Sequence, residues 1–65
     1  AVTVVADDAM HADAWATALT VLGQDAGMAL AEREGLAVRY LQRTAHGAQE
    51  HLSSTFQRLL DEQAA

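Results

Sequence analysis

The chain has 65 residues, room for at most one small domain, and although 51% of them are apolar, fifteen of those are alanine. Only eighteen larger apolar side chains remain, and there is no cysteine for a disulfide or thiolate staple. The chain is therefore expected to be marginal alone and to lean on something else. Four Arg and no Lys against nine acids give a net charge of −5, which leaves no basic patch for a phosphate backbone and excludes general nucleic-acid binding.

No apolar run approaches the roughly 20 residues that span a bilayer, and no signal peptide, lipid-attachment cysteine or targeting tail is present. The sequence opens at Ala1 directly on a strand-like run with no initiator Met, so the true N-terminus is expected to lie elsewhere.

Val2-Thr3-Val4-Val5-Ala6 is β-branched and almost continuously apolar, which predicts a strand covered on both faces. Asp7-Asp8 end it and offer an N-cap to a helix from Ala9 to Leu22, a stretch rich in Ala and free of Gly and Pro. Gly23 closes that helix, Gln24-Asp25 can cap a second from Ala26 to Glu34, and Gly35 is placed as its C′ residue. Leu36 to Leu41 reads as a strand that continues towards Arg43. Thr44-Ala45-His46-Gly47 has turn composition and a third strand follows around Gln49 to Leu52. Ser53 to Thr55 cap a short helix ending near Leu60, with Asp61 to Ala65 frayed. The expected class is mixed α/β (α+β), ordered strand–helix–helix–strand–strand–short helix, with no repeat and no linker.

On the first helix, Met10, Ala14 and Val21 share one direction at 100° per residue, with Ala18 beside them. His11, Leu22, Trp15 and Leu19 continue round the same side. One small sheet cannot cover so wide an apolar surface, which belongs inside a larger body. The remaining arc of the helix carries a narrow stripe of Asp13, Thr17 and Thr20 at i, i+4 and i+7. Asp13 and Thr17 stand one turn apart, so a carboxylate and a hydroxyl can converge. Those are the hard oxygen donors that Mg²⁺ accepts. Taken alone the spacing is a weak signal, because such a pair more often forms a solvated contact or a side chain to backbone bond.

The run Val2-Thr3-Val4-Val5-Ala6-Asp7-Asp8-Ala9-Met10-His11-Ala12-Asp13-Ala14-Trp15-Ala16-Thr17-Ala18-Leu19-Thr20-Val21-Leu22-Gly23 resembles the C-terminal region of the ApbE family, the FAD:protein FMN transferases. The likeness continues through Gly27-Met28-Ala29-Leu30-Ala31-Glu32 and Gly35-Leu36-Ala37-Val38 and covers roughly the first 44 residues. Its most specific element is Ala12-Asp13-Ala14-Trp15-Ala16-Thr17-Ala18, directly after the Val-rich strand. The chain departs from the family in having Gln24 where Pro often follows Val-Leu-Gly, and nothing after Thr44 carries a motif.

The resemblance implies that residues 1–65 are the C-terminal fragment of a single larger, T-fold-like flavin-transferase domain. It implies movement of FMN from FAD onto a Thr or Ser of a target flavoprotein, with release of AMP, or hydrolysis of FAD in some members. Mg²⁺ is implied as cofactor, with Asp13 and Thr17 as two of its ligands, and FAD as substrate. No residue of this stretch is assigned a catalytic role, the FAD-binding residues lie outside it, and the fragment alone is expected to be inactive. The implied partners are the upstream remainder of the enzyme and the acceptor flavoprotein, at the periplasm or periplasmic face of the bacterial inner membrane, with peripheral association through an upstream segment.

The remaining residues read more simply. His11 is expected to be partly packed, and His46 and His51 to lie at the surface. Trp15 reads as core or subdomain interface, Glu32-Arg33-Glu34 as a solvated helix end, and Thr20 as bonded within its helix or second to a metal. The alternative function is a non-catalytic acidic interaction module whose apolar helix packs on a partner chain.

Overall fold

In the computed structural model, which describes residues 1–64, the order is β1 (Val2–Val5), α1 (Ala9–Leu22), α2 (Gln24–Glu34), β2 (Ala37–Thr44), β3 (Gly47–Leu52) and α3 (Ser54–Ala64). The strands form one antiparallel sheet in the order β1-β2-β3. Val2 pairs with Tyr40 and Val4 with Val38, which puts these four on one face. There they meet Leu19 of α1 and Ala31 of α2, with Met28, Leu30 and Leu36 packed around them. Leu19, Ala31 and Val38 are fully enclosed. None of the described helices is long and apolar enough to cross a membrane.

The element order is as the sequence predicts, and several boundaries move for identifiable reasons. β1 is an edge strand covered on one face only. Val2 and Val4 are half-buried whereas Thr3 and Val5 are exposed, so its apolar continuity does not reflect two-sided burial in this chain. α2 starts at Gln24 instead of Ala26, because Gly23 at φ 83° turns the chain from one helix straight into the next, leaving no room for a polar capping residue. β3 starts at Gly47, since its pairing with β2 runs to Thr44 opposite Gly47.

α3 is three turns long and reaches Ala64, past the expected end near Leu60. Ser53 secures its start. The buried Ser53 hydroxyl accepts the Phe56 N–H at 3.3 Å as a helix cap and the Val38 N–H at 2.9 Å, and donates to the Leu36 carbonyl at 2.6 Å. Glu32 adds a second tie, accepting the Ser54 N–H at 2.6 Å, so the end of α2 expected to be merely solvated joins α3 to the body.

One residue departs from expectation and another makes a contact the sequence does not announce. His51 lies opposite Tyr40 on β3, half-buried, and its Nε2 is enclosed with no hydrogen-bond partner. Pairing with the inward-facing Tyr40 carries it off the surface. Tyr40 itself passes over Gly27, where a Cβ would stand 1.8 Å from the phenol oxygen. The hydroxyl then donates to the Leu19 carbonyl at 3.0 Å.

Gly27→Ala should therefore destabilise the fold by about 1–3 kcal/mol through overpacking, despite alanine's better helix propensity. Tyr40→Phe in the same chain should recover part of that loss. Chemical denaturation of the two single variants and the double variant measures it, and strictly additive losses would show that the phenol is not the obstruction.

Candidate functional site

α1 presents the candidate pair. Asp8 starts the helix, its Oδ1 accepting the His11 N–H at 2.8 Å and its Oδ2 lying 2.6 Å from His11 Nδ1. The imidazole stands where a capping box would carry Glu, and it is exposed, contrary to the expectation that it packs, because the Asp8 contact draws it back over the helix end. The backbone N–H of His11 first, and its side chain second, hold the Asp8 carboxyl below its ordinary value.

Asp13 and Thr17 follow on the far side of the helix from the buried Leu19, and both are exposed. The Thr17 hydroxyl donates to the Asp13 backbone carbonyl at 3.0 Å, and Thr20 repeats the pattern to Ala16 at 2.7 Å. These bonds use each hydroxyl proton and leave the oxygen lone pairs turned away from the helix backbone. Among the described residues no hydrogen bond or ion pair engages the Asp13 carboxylate. A carboxylate and a hydroxyl with free lone pairs, one turn apart on an open face, fit a hard cation with a preference for oxygen. They are two donors where an octahedral ion takes six, and among the described residues no group of three or more His, Asp or Glu stands close enough to hold a metal. The structure brings the pair onto one face but does not enclose it.

Trp15 sits on the other side of α1, half-buried. It lines an open groove of about 370 Å³ with Val5, Leu36, Thr55 and Leu59 at the end of the sheet where β1 leaves and β2 enters. Sequence reasoning placed Trp15 at core or interface, and this groove is where it falls. The Arg39–Glu50 pair across β2 and β3 was not anticipated from sequence, because it depends on the hairpin register.

A strand, a helix carrying an outward Asp–Thr pair and a second helix across a glycine corner occupy residues 2–34. Residues 1–40 match the model of the ApbE family, and the chain belongs to that family. It is 41% identical over 59 residues to an FAD:protein FMN transferase of Vibrio cholerae, covering 91% of this chain and 18% of that protein. To an enzyme of the same name from Haemophilus influenzae it is 40% identical over 60 residues, covering 92% of this chain and 17% of that protein. A solved structure of the flavin transferase ApbE from Vibrio cholerae superposes with a TM-score of 0.81 at 40% identity, over 88% of this chain and 18% of that one. The chain thus spans less than a fifth of the length of the relatives it matches.

Acid should loosen the start of α1. Because the folded-state pKa of Asp8 is depressed, its contribution is complete at neutral pH, present above the unfolded-state pKa and lost as the pH falls through the folded-state value. Helicity followed by circular dichroism should decline below the ordinary carboxylate range, and Asp8→Ala should remove that component. An identical acid profile in the variant would contradict the cap.

Proposed function

We propose that this chain is part of a Mg²⁺-dependent FAD:protein FMN transferase and that it supplies Asp13 and Thr17 as two of the cation's ligands. The observation that carries the reading is the outward placement of that pair on α1, inside the stretch that matches the family. Residues 1–65 form one segment of a larger domain in this reading. Flavin-binding groups and the remaining ligands come from the rest of the polypeptide.

In the transfer, a Thr or Ser hydroxyl of the acceptor protein attacks the phosphorus on the FMN side of the FAD diphosphate. The bond to the AMP phosphate breaks, AMP leaves, and the hydroxyl proton passes to a base outside this chain. With water in place of the hydroxyl, the same displacement hydrolyses FAD. A divalent cation supplies charge neutralisation of the diphosphate oxygens and orients the in-line groups. The Asp13 carboxylate would hold the cation by charge, and the Thr17 oxygen would fix its position along the helix. The bond from Thr17 to the Asp13 carbonyl holds the hydroxyl in one rotamer, so its lone pairs are oriented before any cation arrives. The compartment that accompanies this reading is the periplasmic face of a bacterial inner membrane.

In the complete protein, Asp13→Ala should abolish Mg²⁺-dependent AMP release from FAD while leaving the folded structure intact, because the side chain is exposed and packs nothing. Thr17→Val should retain folding and reduce the same activity by about tenfold to a hundredfold, the range typical of lost metal-supporting groups. Chromatographic quantification of AMP measures both. Activity equal to the parent in Asp13→Ala would overturn the assignment.

A further inference from the structure

We propose that Tyr40 is a positioning residue for the cation site: its hydroxyl fixes the roll of α1, and with it the direction in which Asp13 and Thr17 present their oxygens. The phenol oxygen donates to the Leu19 carbonyl at 3.0 Å and stands 3.4 Å from the Gly23 carbonyl, one helical turn further on where α1 ends. Among the described residues these are the only hydrogen bonds between the sheet and α1 or its glycine corner. The other contacts of this helix with the sheet are apolar, made by Leu19 on Val38 and on the valines of β1. Apolar burial is non-directional and resists a roll poorly, whereas a hydrogen bond weakens steeply as its angle opens.

Packing alone does not call for this contact. The Leu19 carbonyl already accepts the Gly23 N–H at 3.1 Å, so no backbone group would be left unsatisfied without the phenol. Tyr40→Phe would fill the same space in the core. The tyrosine instead buries a hydroxyl that has to be bonded. Its path over α2 also requires glycine at position 27, inside a helix where alanine is the better helix former. Two local disadvantages accepted for one directional bond mark a constraint that acts beyond the core.

Thr17 and Asp13 precede Leu19 by two and six residues, about 3 Å and 9 Å of helix rise, so α1 carries them as one rigid body. A roll of about 10° displaces an outward side-chain oxygen, about 6 Å from the axis, by about 1 Å. A binding site has to hold its groups within about 0.5 Å. Mg²⁺ is the exacting case, demanding near-ideal octahedral bonds of about 2.0–2.1 Å, where Ca²⁺ accepts irregular shells at about 2.3–2.6 Å. Loosening the roll therefore weakens Mg²⁺ more than Ca²⁺.

The inference rests on the metal reading above, and its test separates the two. Mg²⁺ and Ca²⁺ dissociation constants are measured by calorimetry on the full-length protein that contains this stretch, and on its Tyr40→Phe and Asp13→Asn variants. Tyr40→Phe keeps the ring and removes only the bond. Its Mg²⁺ constant should rise about tenfold and its Ca²⁺ constant by less than about threefold, a change of selectivity that loss of stability alone does not produce. Asp13→Asn removes a charge that both ions use and should weaken both. If Tyr40→Phe does not fold, Gly27→Ala replaces it, since the added Cβ meets the phenol oxygen and displaces it, with the same selective loss. Weakened binding in Asp13→Asn beside an unaltered ratio of the two constants in Tyr40→Phe overturns the positioning role and leaves the metal reading standing. Unaltered Mg²⁺ affinity in Asp13→Asn overturns the metal reading, and the positioning role with it.

Discussion

The hydroxyl of Tyr40, passing over Gly27 to reach the Leu19 carbonyl, is the contact on which the rest of the arrangement depends. It joins the central strand to the end of α1 across α2, so three elements are fixed by one side chain. The phenol is a donor at neutral pH, and desolvation by burial raises its pKa further. The Leu19 carbonyl also accepts the Gly23 N–H at 3.1 Å, so one of the carbonyls that a helix C-terminus leaves without an intrahelical partner is doubly satisfied. With Leu19 locked inwards, the roll of α1 about its axis is set. Asp13 and Thr17 then have to face outwards, where the proposed cation site needs them.

The opposite end of the molecule is held differently. No residue of α3 is buried, and Leu59 and Leu60 remain 36% and 43% exposed, so its attachment comes mainly from the start of the helix. Ser53 exchanges hydrogen bonds with Leu36, Val38 and Phe56, and Glu32 caps Ser54 from α2. Fully satisfied, such a buried polar node specifies one geometry more sharply than apolar contact does. The chain thus combines a small apolar core under the sheet with a polar hinge pin at its end. Among the described residues, apolar side chains stay open on the outer side of α1 and in the groove beside Trp15.

Much of the fold was legible because the signals were local. Asp8, Gly23 and Gly35 each act within a few residues of where they stand, and the alanine-rich stretch between the first two has no competing structure. What escaped depended on distant residues. The anchoring of α3 follows from Ser53 meeting β2, the single-sided cover of β1 from its place at the sheet edge, and the enclosure of His51 from the register that sets it against Tyr40. The pair Asp13 and Thr17 was legible as a spacing, and the resemblance of the surrounding motif gave it a chemical meaning. Among the described residues no group of three or more His, Asp or Glu stands near enough to complete it, and in the proposed reading the other ligands come from the rest of the polypeptide.

The central claim is that α1 displays one wall of a cation site. The most direct measurement is a crystal structure of the full-length protein soaked with Mn²⁺ and FAD, with the cation located by its anomalous signal. The account predicts a peak coordinated by the Asp13 carboxylate and the Thr17 hydroxyl, at about 2.0–2.3 Å. A cation bound elsewhere with Asp13 open to solvent would contradict it.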